Sequence, residues 1–186
     1  MSVSRLPSPT VSVTGYDHSN NQDLKSILLP PRQLQWGSSD NGQMPMAVAY
    51  INRLPADLND DADLKYNEAK NNANVGLVSG GGAVLRYVDV APGYTTMMHR
   101  TQSLDYGVVL EGQAECVMDS EEVQLMNRGD VLVQRYTMHA WRNPSKTEWT
   151  RILFVLMACL PLEVHGKLLK EDLGRGAAYL PSSDNS

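Results

Sequence analysis

One phenylalanine stands among 186 residues, against eight tyrosines and three tryptophans. Most of the aromatic area therefore carries a polar handle, which suits the wall of a pocket as well as a core. No run of Lys or Arg occurs and the net charge is −5, which argues against nucleic acid as a partner. There are only two cysteines, Cys116 and Cys159, each in an apolar run and without metal-type spacing. Both read as buried free thiols. RILFVLMACLPL is too short to span a bilayer, and MSVSRLPSPT lacks the apolar stretch of a signal peptide. These absences describe a cytoplasmic chain with no membrane partner, of a length that suits one domain with a real core.

Residues 1–10 are rich in Ser and Pro and read as a flexible arm. Over residues 11–79 the chain offers strands and a covering segment. TVSVTG alternates β-branched and polar residues, SILLPP is an apolar run stopped by two prolines, and MAVAYINRL is a third strand. LQWGSSDNGQMP is loop chemistry around one anchor, Trp36. Aspartates followed by Ala, Leu and Lys predict a short helix or lid over residues 60–70. The acid cluster there lacks the glycine and terminal glutamate of a calcium loop and reads as a solvated helix start. From Gly80 the texture changes. Six extended runs with turn signals and no helical period make residues 80–162 an all-β domain, an antiparallel barrel or two-sheet jelly roll. LEVHGKLLKEDL, within the C-terminal residues 163–186, has helical spacing and predicts a short helix before a tail.

The stretch 92–143 carries a histidine near each end, His99 and His139. Residues two apart on a strand share a face, which groups His99 with Met97 and Thr101, and His139 with Trp141 and Asn143. Two imidazoles from distant strands are what a metal or acid–base site inside a small barrel needs. The chain reads Gly93, five residues, His99-Arg100-Thr101, three residues, Asp105, six residues, Gly112, and later Gly129, His139 and Asn143. This pattern resembles the cupin family, whose first motif is glycine, five residues, His-x-His, three or four residues, glutamate, six residues, glycine. Thr101 stands where that family has its second histidine, and Asp105 where it has the glutamate. The family's Pro-x-Gly becomes Gln134-Arg135-Tyr136-Thr137, with one residue fewer. MHRTQSLDYGVVLEG, VQRYTMHAWRN and KLLKEDLG are also similar to single-domain cupins of fungal polyketide gene clusters, many of them labelled oxidoreductases.

The resemblance implies that both motif faces line a barrel interior, with Asp105 on the next turn. The pocket would hold two imidazoles, a carboxylate, a hydroxyl and apolar walls, which suits a small-molecule substrate. His99, His139 and Asp105 are the expected catalytic residues. Met97, Thr101, Tyr106, Gln134, Arg135, Trp141 and Asn143 are the expected substrate contacts, Tyr136 narrows the mouth, and Arg100 points outward. The usual cupin site has three histidines and a glutamate. Here His99, Asp105 and His139 would form a two-histidine, one-carboxylate set able to hold one divalent transition metal. The short carboxylate and the threonine weigh against it, so the cofactor stays open between none and one such metal. Without metal, burial lowers a histidine pKa and a nearby carboxylate raises it, which poises the imidazole near neutral pH.

Such a pair serves dehydration, enolisation or decarboxylation of a hydrophobic, oxygenated, polyketide-like substrate. The leading reading is thus a lyase or isomerase of secondary metabolism, followed by a metal-dependent oxidoreductase or dioxygenase, then a non-catalytic ligand-binding cupin. A homodimer is expected, because single-domain cupins pair through sheet edges and the N-terminal arm can add a strand to a partner.

Overall fold

The computed structural model describes residues 6–19, 25–71, 75–174 and 183. Five short strands lead in: β1 (Thr10–Val11), β2 (Thr14–Tyr16), β3 (Ser26–Leu28), β4 (Arg32–Gln33) and β5 (Trp36–Ser39). Two long strands, β6 (Met44–Arg53) and β7 (Gly82–Val90), flank the helix α1 (Ala62–Asn71). Then come β8 (Ser103–Glu111), β9 (Ala114–Met118), β10 (Val123–Met126), β11 (Val131–Arg135), β12 (His139–Arg142) and β13 (Thr150–Ala158). A last pair, β14 (Glu163–Val164) and β15 (Lys167–Leu168), follows. The large sheet runs β11-β8-β13-β7-β6-β5 and the small one β10-β9-β12. Neither closes on itself, so the expected cupin jelly roll is built as two facing antiparallel sheets.

Residues 94–101 continue the small sheet without forming a regular strand. Thr95 pairs with Arg142, and His99 with His139 through two backbone bonds of 2.9 Å. The turn to β9 falls at Gly112, at φ 71°, where a Cβ would come within 2.9 Å of the Trp149 carbonyl oxygen.

Alternation along the strands sends one set of side chains into the space between the sheets. Val88, Val109, Ile152 and Phe154 from the large sheet meet Cys116, Met126 and Trp141 from the small one. Trp141 and Phe154 pack edge to face, with ring centroids 5.3 Å apart. Gly107, across the ladder from Phe154, leaves the ring its room; a Cβ there would lie 2.8 Å from Phe154 Cε1.

The large sheet is buried on its outer face too. Leu34, Ala47 and Ala49 cluster there with Trp36, Leu85 and Tyr87. On this face Arg151 grips Asp89 with both Nε and Nη2, each 2.6 Å from a carboxylate oxygen. Arg151 Nη1 donates to the Pro7 carbonyl at 2.6 Å, and the guanidinium lies 5.1 Å from the Trp36 ring centroid.

Two expectations change and one is met. Trp36 opens β5 and pairs with Ala47, because the edge of β6 offers it a ladder. The helix of residues 60–70 forms as α1 and is tied to β6 by Asn67 Oδ1, which accepts from the Ile51 amide at 3.1 Å. The C-terminal helix does not form: β14 and β15 make a hairpin, with His165 and Gly166 at φ 51° and 73°. Two left-handed residues are what a type I′ turn requires, and that local geometry overrides the helical spacing. β1 pairs with β4. Residues 1–5 of the arm, and 175–182 and 184–186 of the tail, lie outside the described residues. Among the described residues no helix is long and apolar enough to cross a membrane.

Removing one member of the Arg151–Asp89 pair strands a buried charge. Asp89→Ala is expected to cost about 3–5 kcal/mol, read from the urea unfolding midpoint. A cost below about 1 kcal/mol would contradict a charge-bearing role for this pair.

Candidate active site between the sheets

A partly open cleft is lined by residues of both sheets. Of the expected site residues, Met97, His99, Thr101, Asp105, His139 and Trp141 line it. The large sheet adds Met46, Arg86, Val88, Phe154 and Leu156.

The mutual pairing of His99 and His139 brings their rings to 4.4 Å between centroids, tilted by 47°. Each Nδ1 lies 3.0 Å from a backbone carbonyl two residues earlier, Met97 for His99 and Thr137 for His139. A carbonyl accepts only, so each Nδ1 carries the proton and each Nε2 is the basic nitrogen. Burial lowers the pKa of both: desolvation dominates at His99, while desolvation and the neighbouring His99 push His139 down to about 3. Both imidazoles are therefore neutral at pH 7.

Asp105 responds in the opposite sense. Desolvation pushes its carboxyl up to about 7, against smaller lowering effects from the Ser103 and Thr101 hydroxyls and from Arg86. The expected partners of this carboxylate are the two histidines. The structure sets it against Arg86 instead, and the group that titrates near neutral pH is the carboxyl.

Four expected contacts sit elsewhere. Tyr106 is exposed because it alternates with the inward Asp105, and Arg135 is exposed because it follows the buried Gln134. Gln134 Nε2 bonds within its own turn, to the Thr137 carbonyl and hydroxyl. Asn143 is buried but structural: Nδ2 donates to the Val90 and Glu148 carbonyls at 3.0 and 2.8 Å. Tyr136, expected at the mouth, is buried and donates to the Leu169 carbonyl at 3.0 Å. Arg100 turns outward, as expected, and its Nε donates to the Lys170 carbonyl at 2.9 Å. These bonds hold the C-terminal segment along residues 97–100, which places Leu173 in the cleft wall. Of the two cysteines, Cys116 is buried and Cys159 only partly so.

Arg86 is the site residue that sequence reasoning missed. It lies in RYVDV, a strand buried on both faces, where alternation gives no sign of which face is the inner one.

A metal is what the cupin resemblance implies, and the donors decide whether one fits. The imidazoles offer two nitrogens. Among the described residues, however, no group of three or more His, Cys, Asp or Glu side chains is placed to hold a metal ion. Asp105 faces a guanidinium, which competes for its negative charge. The residues present do not fit the three-ligand centre.

The raised Asp105 pKa means that the fold retains a proton the unfolded chain releases between pH 3.8 and about 7. Stability linked to Asp105 is thus present at low pH and lost as pH rises through that window. The histidines act oppositely, since their lowered values destabilise the fold as pH drops below 6.5. Asp105→Asn isolates the first effect. Relative to wild type it is expected to gain about 1–4 kcal/mol between pH 4 and pH 8, measured by urea unfolding at each pH. A difference that does not move with pH would contradict the assignment.

No family model matches the chain. It is 43% identical over 146 residues to oryzines biosynthesis cluster protein J of Aspergillus oryzae, covering 77% of this chain and 80% of that protein. Cupin-domain-containing oxidoreductase srdB of Neurospora crassa is 37% identical over 178 residues, covering 91% of this chain and 83% of its own. Phomopsin biosynthesis cluster protein D of Diaporthe leptostromiformis is 47% identical over 122 residues, or 66% of this chain. The chain spans 65% of the length of that phomopsin relative. Among solved structures, Rru_A2000 of Rhodospirillum rubrum, a cupin-2 domain, gives a TM-score of 0.45 at 17% identity over 77% of this chain and 76% of that one. The polyketide cyclase RemF of Streptomyces resistomycificus gives 0.43 at 15% identity over 70% of each. Likenesses of that size carry no argument about chemistry. Identity sustained over most of both chains does settle kinship: the chain belongs to the cupin-domain proteins of fungal biosynthesis clusters.

Proposed function

We propose that the cleft binds a hydrophobic, oxygenated small molecule of secondary metabolism and moves protons on it, as a lyase or isomerase. The observation that carries this reading is the division of protonation states within one cleft. Two neutral imidazoles with Nε2 basic face the same apolar space as a carboxyl that holds its proton up to about pH 7.

The roles follow from the shifts. His139, pushed to about 3, is too weak a base to take a proton from carbon efficiently. His99 is half-buried, and Glu171 partly offsets the lowering, so its Nε2 is the acceptor. It removes the proton from a carbon beside a carbonyl. Asp105, protonated, delivers a proton to the oxygen or carbon that gains charge, or to a departing hydroxyl that leaves as water. Solvent then carries the proton from imidazolium back to carboxylate, and the cycle balances without an oxidant. His139 packs against His99 and disfavours a second positive charge there.

The test is deuterium uptake at the α-carbon of α-tetralone in D2O near neutral pD, followed by NMR. Wild type is expected to accelerate exchange over the blank, and His99→Gln to lower that acceleration by about 10²- to 10⁴-fold. Exchange should also decline as pH passes about 7 and Asp105 ionises. Catalysis indifferent to His99→Gln would overturn the scheme, and no catalysis at all would favour the non-catalytic, ligand-binding reading.

A second reading is metal-dependent oxidoreduction; the Neurospora relative is named an oxidoreductase. Elemental analysis separates the two. Protein produced with added iron, manganese, nickel and zinc is expected to hold well under one equivalent of any of them and to exchange deuterium unchanged after chelation. A stoichiometric metal whose removal abolishes activity would install the second reading in place of the first.

A further inference from the structure

The proton-transfer scheme leaves one polar residue of the cleft, Arg86, without a task. Arg86 is 3% exposed and lines the cleft from β7. Its Nη2 donates to the Gly76 carbonyl at 2.5 Å, and its Nη1 lies 3.8 Å from the Met46 sulfur. Nε has no partner. Asp105, also 3% exposed, leaves Oδ1 without a partner. Buried polar atoms in folded proteins are nearly always paired, because an unmade hydrogen bond in a dry interior carries the whole desolvation cost. These two orphaned atoms belong to residues on the wall of one cavity, and they are opposite in character: a cationic donor and a carboxyl oxygen. Their charges sense one another, yet the two side chains make no hydrogen bond with each other.

An acidic O–H satisfies both. A carboxyl, enol or phenol oxygen accepts from Arg86 Nε–H, and its proton is shared with Asp105 Oδ1. Water would satisfy the same atoms, but the surrounding wall of Val88, Phe154 and Leu156 favours a ligand whose remainder is apolar. The carbonyl bond at Nη2 fixes the plane of the guanidinium, so Nε–H presents a preset direction.

We propose that Arg86 and Asp105 form an anchoring subsite for one acidic oxygen of the ligand, so that the cleft selects amphipathic acids, enols or phenols over neutral analogues of the same shape. This rests on the reading of the cleft as a ligand site and narrows what enters it. Arg86 is a specificity-determining residue of that site.

The probes are 2-naphthoate and its neutral analogue 2-acetylnaphthalene, whose carbonyl accepts but has no acidic oxygen, titrated calorimetrically into the protein. Wild type is expected to bind the carboxylate at least about tenfold more tightly than the ketone. Arg86→Met is expected to abolish that preference while retaining ketone binding, and Arg86→Lys, which keeps the charge, to restore part of it. A merely structural role for Arg86 would weaken both probes alike. If Arg86→Met does not fold, Arg86→Lys carries the test, since loss of the Nε–H alone should reduce the preference below wild type. Equal binding of the two probes by wild type, or a preference unchanged in both variants, would overturn the subsite. Failure of both probes to bind at millimolar concentration would instead count against the cleft as a ligand site, and the subsite would fall with it.

Discussion

Trp141 and Phe154 meet edge to face between the two sheets, and the site depends on the burial that contact provides. It joins β12, the strand that carries His139, to β13, which runs between Arg86 on β7 and Asp105 on β8. Burial in this space raises the cost of every charge within it. The consequences differ by sign. Bases are driven to their neutral form and the carboxyl to its protonated form, and both effects arise from desolvation before any partner acts. The same two facts, neutral imidazoles and a protonated acid, are what proton shuttling at neutral pH requires.

β7 supplies a charged residue to each face of the large sheet, and the two are treated differently. Asp89 on the outer face is gripped by Arg151 with two bonds of 2.6 Å, and the third guanidinium nitrogen bonds to Pro7. Arg86 on the inner face, three residues earlier, keeps Nε unpartnered and stands by a carboxyl with an unpartnered oxygen. One strand thus holds a finished ion pair and an unfinished one. The finished pair fixes the N-terminal cover to the sheet, and the unfinished pair belongs to residues that line the cleft.

The legible parts of this protein were those that local rules govern. Period-two alternation placed His99 with Thr101 and Met97 on one face, and His139 with Trp141 on another, and the structure brings these five to one cleft. The glycine spacing, read beside the cupin motif, gave the jelly roll. What stayed hidden depends on the third dimension. Asn143 shares the face of His139, yet its amide is taken up by the Val90 and Glu148 carbonyls. Tyr136 adopts φ 55°, which swings its hydroxyl onto Leu169 rather than over the mouth. The pairing of Asp105 with Arg86 needs β8 and β7 to lie on either side of β13, an order no single-strand pattern reveals. The His165-Gly166 turn was written in the sequence, but helical spacing on both sides masked it.

Burial, acting on Asp105, makes a carboxyl rather than an imidazole the group that titrates at neutral pH. Carboxyl 13C NMR of protein labelled at aspartate, assigned with Asp105→Asn, reads this directly. One resonance, absent from the variant, is expected to titrate with a midpoint of about 7, while the His139 ring signals stay in their neutral form throughout that range. A midpoint for Asp105 near the ordinary 3.8, or an imidazole titrating at pH 7 in its place, would contradict it.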